Sequence, residues 1–263
     1  MSAPRPITLA IENGIARIVL NNPERNNPIG EAFIDAFDEV TLKCSERDDI
    51  RAVMISAKGK RFSVGGDIDM MIPDRSALPA RLRHWNAQLQ GGIARLQHMK
   101  APSVAAVQGV VAGGGLSLAA GCDIIVASDD ARFVAAYPTI GYCPDLGGTY
   151  MLARRMGVSR ARRFYLLHEQ LDATTAQDAG IIDILVPTAN LQATAESVAA
   201  RWASGPTEAY GAIRSLMHSA AYTPLETQLE LETQNLARLT RTNDAWNALM
   251  AFKEKRPPTY EGR

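Results

Sequence analysis

An α/β fold is predicted for this 263-residue chain by three observations. Apolar runs of strand length alternate with helically spaced segments as far as residue 190. Two of those runs lead into glycine-bearing turns, Phe62–Asp67 and Ala112–Ser117. Beyond Pro187 the strand signals stop and only helical patterns remain.

The elements follow in order. Ile7, Leu9 and Ile11 alternate, as do Ala16, Ile18 and Leu20, and Asn13-Gly14 between them is a two-residue hairpin signal. Residues 21–28 read as a polar loop. Phe33, Phe37, Val40 and Cys44 fall at helical spacing, and 52–56 is a short buried strand. Trp85, Leu89, Ile93 and Leu96 mark a second helix. A strand at 103–107, a short buried helix at 116–120 and strands at 123–127 and 181–186 complete the alternation. Segments 189–204, 207–220, 224–240 and 242–254 are helical, with Pro206 and Pro224 at two starts. Two regions are therefore expected, a core over 1–190 and a helical region over 191–263. The latter would pack on the core or reach a neighbouring subunit.

Composition narrows the class. The 28 basic and 28 acidic residues cancel, so there is no global attraction to nucleic acid. Cys44, Cys122 and Cys143 show no C-x-x-C spacing, which argues against a disulfide framework or a zinc site and for a reducing compartment. Residues 1–6 lack an apolar signal core, and no run approaches the ~18 apolar residues of a membrane span. A cytoplasmic protein is expected. His84, His98, His168 and His218 form no i,i+4 pair, so no metal is expected.

Chemistry points to the turns. Gly113, Gly114 and Gly115 free the backbone for close approach, and the helix that follows offers unpaired N–H groups to a negative oxygen. Tight helix–strand packing explains the same glycines. The dinucleotide spacing G-x-G-x-x-G is absent. Asp145, in the loop 141–149, is suited either to proton transfer or to capping the next helix. Ser117 is expected to bond its own backbone, Tyr137 to be an aromatic wall residue, and Cys143 a buried thiol.

These motifs together resemble the enoyl-CoA hydratase/isomerase (crotonase) superfamily: Phe62-Ser63-Val64-Gly65-Gly66-Asp67-Ile68, Ala101-Pro102-Ser103 through Gly109, Gly113-Gly114-Gly115 and Cys122-Asp123-Ile124. The resemblance implies a crotonase-like spiral of ββα repeats with a helical C-terminal trimerisation region. It implies an acyl-CoA substrate, with coenzyme A part of that substrate and no separate cofactor, and a homotrimer or dimer of trimers. By position, Val64 and Gly114 would supply the oxyanion-hole N–H groups. Asp67, Ser117, Tyr137, Arg25 and Lys255 would contact substrate, the last two at the CoA phosphates.

The chain departs from the hydratase pattern at its two glutamates, whose positions hold Ser117 and Tyr137. The loop Pro144-Asp145-Leu146-Gly147-Gly148-Thr149 is similar instead to isomerases of the phenylacetate-degradation type, which carry one aspartate there. The implied activity is a Δ3-to-Δ2 acyl-CoA isomerisation through Asp145. Enoyl-CoA hydration or thioester hydrolysis is the alternative within enzymes. A non-catalytic acyl-CoA- or RNA-binding member is the alternative outside them.

Overall fold

The computed structural model describes residues 5–263, so the first four residues of the signal-core reading lie outside it. Six strands form the main sheet. β1 (Ile7–Glu12) and β2 (Ile15–Leu20) make an antiparallel hairpin. Asn13 and Gly14 turn it with φ of 53° and 75°, the two positive values that a type I′ turn demands. Next come β3 (Pro28–Ile29), helix α1 (Glu31–Ser45), β4 (Ala52–Ala57) and β5 (Gly65–Gly66). The middle of the chain forms α2 (Ile68–Met71), α3 (Leu78–His98), β6 (Ser103–Val107), β7 (Val110–Ala112) and α4 (Gly113–Ala120). It continues with β8 (Ile124–Ser128), β9 (Arg132–Val134), α5 (Gly148–Met156), α6 (Val158–Leu166), β10 (Gln170–Asp172), α7 (Ala173–Asp178) and β11 (Ile184–Val186). Four helices close the chain: α8 (Leu191–Ala203), α9 (Thr207–Ser219), α10 (Leu225–Leu239) and α11 (Asn243–Lys253).

The main sheet runs β1-β2-β4-β6-β8-β11, parallel from β2 onward. Parallel strands are covered on both faces, and side-chain alternation assigns each face its cover. Val53, Ile55, Ala105 and Val107 join the cluster beneath α1 and α3, while Ala52, Met54, Val104 and Ala106 meet α8. On β2 the outward position Arg17 instead ion-pairs with Glu196 of α8 at 2.8 Å. The loops after four of these strands contribute short partners, β3, β5, β7 and β9. These pair as β3-β5 and, with β10, as β10-β9-β7. This repeated strand–short strand–helix pattern is the crotonase-like α/β architecture expected above.

Two expectations change, and one alternative is decided. The polar loop at 21–28 contains a 3-10 turn at Pro23–Arg25 and ends in β3. Helix α4 begins at Gly113, so the glycines form its first turn rather than precede it. Of the two placements open to the helical region, α8 takes the first, because its Leu191, Ala195 and Ala199 are buried in the sheet cluster. Helical periodicity marked α8 correctly but could not say which surface its apolar stripe covers.

Helix α9 is held by one buried cation. Arg214 donates to Asp123 at 2.9 Å and to the Leu96 carbonyl at 3.2 Å, and also reaches the Met99 carbonyl. Replacing it by Met strands those acceptors, and breaking a buried pair of this kind costs ~3 kcal/mol. Arg214→Met is therefore expected to lower the denaturant midpoint measurably, whereas Arg263→Met, at an exposed pair, should leave it within error.

Candidate active site

Three loops after parallel strands enclose one cavity of ≈ 680 Å³. The first, 62–67, is stitched to the second by backbone bonds: Phe62 N to Gln108 O at 2.9 Å, Ser63 N to Val110 O at 3.2 Å and Ala112 N to Ser63 O at 3.0 Å. The approach is so close that only glycine fits at 65. Its φ is +87°, and a Cβ there would lie 3.0 Å from the Ala112 carbonyl and 3.2 Å from Gly113 Cα. Asn27, fully buried, anchors the first loop from below. Its amide donates to the Lys58 and Arg61 carbonyls, both at 3.0 Å, and its side-chain oxygen accepts from Asn22 N at 2.8 Å.

This pairing changes one assignment. The Val64 N–H donates to the Asn26 carbonyl at 3.2 Å and is not free for a ligand. Gly66 pairs with Ile29, whose carbonyl accepts from Asp67 N at 3.0 Å. Parallel pairing alternates, so the Gly66 N–H points away from β3, and Gly66 lines the cavity. The donor at the first turn is therefore Gly66 rather than Val64. Gly114, as expected, lines the cavity from the first turn of α4, where amides lack helical partners. A Cβ on Gly114 would meet Ile29 Cδ1 at 2.7 Å and sit 3.8 Å from the Tyr137 hydroxyl. That places its backbone directly opposite the third loop.

Asp145 enters from that loop. Its carboxylate does not cap α5: the cap residue is Gly147, with no side-chain bond, and only the Asp145 carbonyl accepts from Gly148 N, at 2.8 Å. The carboxylate instead accepts a hydrogen bond from the Tyr137 hydroxyl through Oδ1. Leu146 makes this possible by taking φ of +51° while burying its side chain. That conformation costs a non-glycine residue ~1–2 kcal/mol and is found at sites that the surroundings enforce. Burial pushes the Asp145 pKa above the ordinary aspartate range, and hydrogen bonds from Tyr137 and Asn86 oppose the shift. The same burial, with the Asp145 charge, drives the Tyr137 phenol upward, so it stays a neutral donor.

The other expected contacts divide. Tyr137 joins the site as a donor to the carboxylate as well as a wall. Ser117 is fully buried, outside the cavity lining, and bonds the Gly113 carbonyl at 3.5 Å. Arg25 and Asp67 are brought together but bind each other, at 2.7 Å, with Asp69 a further 2.7 Å partner of Arg25. Asp67 also caps α2. Lys255 lies in the exposed tail after α11, away from the cavity lining. Cys143 is exposed on the cavity wall rather than buried, because the loop leaving Gly141 runs along the rim. Asn86 escaped the sequence reading; it sits one residue after Trp85, on the α3 face that closes the cavity.

Two glycine turns and one desolvated carboxylate line the same cavity, on a spiral of ββα units. Membership follows from the whole chain: the family model for enoyl-CoA hydratase/isomerase matches residues 10–263, and the chain belongs to that family. Among its relatives is the 1,2-epoxyphenylacetyl-CoA isomerase of Escherichia coli (strain K12), 35% identical, covering 96% of this chain and 97% of that protein. The trans-2-decenoyl-(acyl-carrier-protein) isomerase of Streptococcus mutans is 31% identical, covering 98% and 99%. A crystal structure of an enoyl-CoA hydratase from Polaromonas sp. JS666 superimposes with a TM-score of 0.91 at 28% identity, covering 97% and 99%.

The hydrogen bond from Tyr137 favours the ionised carboxylate, so its loss should raise the Asp145 pKa further. The basic form is then present only at higher pH. The acid limb of kcat/KM is expected to lie above the ~3.9 of free aspartate in the wild type and to move higher still in Tyr137→Phe. A pH–rate profile of the two proteins checks this.

Proposed function

We propose that this protein is an acyl-CoA isomerase that moves a double bond from Δ3 to Δ2. The observation that carries the reading is that Asp145 is the one carboxylate lining the cavity among the described residues. Adding water to a double bond needs a group to activate water and a group to deliver a proton. Moving a double bond needs one base that takes a proton at C2 and, as its own conjugate acid, returns it at C4 of the dienolate. Tyr137 occupies Oδ1, which leaves Oδ2 to do both. Removal of the C2 proton places charge on the thioester oxygen, and the Gly66 and Gly114 amides would stabilise it. One such donor is worth ~3–4 kcal/mol of barrier. A raised Asp145 pKa narrows the gap to a weak carbon acid and improves proton transfer.

Incubating a 3-enoyl-CoA in D₂O should yield the 2-enoyl isomer; 3-hydroxyacyl-CoA as the sole product sinks the reading. Asp145→Asn should lower kcat by about 10²–10⁴. The same variant should be at least as stable as the wild type at pH 7. A carboxyl whose folded pKa is raised destabilises the fold above that pKa, and the penalty is relieved as pH falls through it. A lower melting temperature for Asp145→Asn at pH 7 would contradict that linkage.

Oligomerisation belongs to the same proposal. Leu229, Leu236, Trp246, Leu249 and Phe252 on α10 and α11 are exposed, Phe252 by 86%. Apolar exposure on this scale supports burial against further copies of the chain, as a homotrimer or dimer of trimers. Sedimentation should give a trimer or hexamer mass; a monomer at micromolar concentration would exclude this.

A further inference from the structure

We propose that the acyl arm of the substrate is an uncharged hydrocarbon chain or ring, seated against α2 and α3, and that acyl groups ending in a carboxylate are rejected. The inference rests on the acyl-CoA reading above and names the acyl class within it. The wall is formed by Ile34, Met70, Met71, Leu82, Trp85 and Leu89. Two methionines give this wall soft, adaptable side chains, suited to a chain or a ring rather than to one rigid shape. The volume of ≈ 680 Å³ lies well inside the range of about 300–1,000 Å³ for sites that engulf an organic ligand.

Charge decides the class. No lysine, arginine or histidine lines the cavity among the described residues. Two arginines close to the lining in sequence are engaged by acids, and Arg83, between Leu82 and Trp85, is exposed and lies outside the lining. Arg25 is held by Asp67 and Asp69. Arg81 pairs with Glu31 at 2.9 Å and lies over the Trp85 ring at 4.6 Å. A terminal carboxylate entering here would lose hydration without gaining a cation, and it would share the cavity with Asp145. A hydrocarbon end meets neither penalty and gains burial at every carbon. The other polar residues of the lining, Asn86, Tyr137, Thr139, Tyr142 and Cys143, can hold an amide or hydroxyl but carry no cation to neutralise an anion.

The test uses calorimetric binding of saturated, unreactive thioesters, which needs no turnover. Butyryl-CoA, octanoyl-CoA and the ω-carboxylated C8 analogue are titrated into the full-length protein. Affinity is expected to rise from butyryl to octanoyl by up to about fourfold per methylene. The ω-carboxylated ligand should bind at least tenfold more weakly than octanoyl-CoA. Equal affinities across the series, or tighter binding of the carboxylated ligand, would overturn the acyl assignment. Leu82→Arg, placing a cation in the wall, is expected to reverse the order of the two C8 ligands. Circular dichroism establishes that this variant is folded, and the wild-type series decides the question if it is not. Failure of all three thioesters to bind would instead overturn the acyl-CoA reading itself.

Discussion

The contact between Gly65 and the Ala112–Gly114 backbone is the constraint from which the site follows. Strands β4 and β6 run parallel and adjacent, so the loops leaving them emerge side by side. Three backbone hydrogen bonds then draw the loops together, until a single Cβ at residue 65 would intrude on the opposing chain. The β3–β5 pairing fixes which way the first loop's amides face. With that settled, Gly66 and Gly114 look into one space, and the fold supplies two fixed dipoles without committing a side chain. The buried Asn27 side chain, bonded on three sides, holds the arrangement from outside the cavity.

Opposite these amides the chain accepts unfavourable terms. Leu146 is left-handed and Asp145 is ionisable in an apolar enclosure. Both cost stability, and together they leave a carboxylate in the cavity lining with its pKa raised by burial. Tyr137 limits the cost by donating to one oxygen. By resemblance its position is that of a second carboxylate in the hydratases, and here it donates to the remaining acid instead. Two cations close to the lining in sequence have partners of their own, Arg25 in Asp67 and Asp69, Arg81 in Glu31. Arg25, expected at a substrate phosphate, is thereby tied into the scaffold.

Much of this was legible in the amino-acid order. Asn13-Gly14 specified its turn because few residues adopt two positive φ values in succession. Strands β4, β6 and β8 stood out as short apolar runs, since both of their faces are buried, while β1 and β2 showed alternation. Helices α8 to α11 showed their 3.6-residue period and their proline starts. Asp145 was the conspicuous carboxylate of its loop, and it lines the cavity.

Local pattern could not reach the rest. Strands of two or three residues such as β3, β5 and β7 have no periodicity of their own and exist only through their partners. Whether Val64 or Gly66 offers its amide depends on register against Ile29 and Asn26, residues far back in the chain. Whether Asp145 caps a helix or faces a cavity depends on Leu146 adopting a conformation that its identity disfavours. Arg25 and Asp67 read alike as ligand contacts until tertiary distance pairs them. The sequence by itself determined which elements form and which chemical groups are available. The tertiary structure alone decided where those groups point, because the direction of an amide or a carboxylate is set by partners distant in sequence.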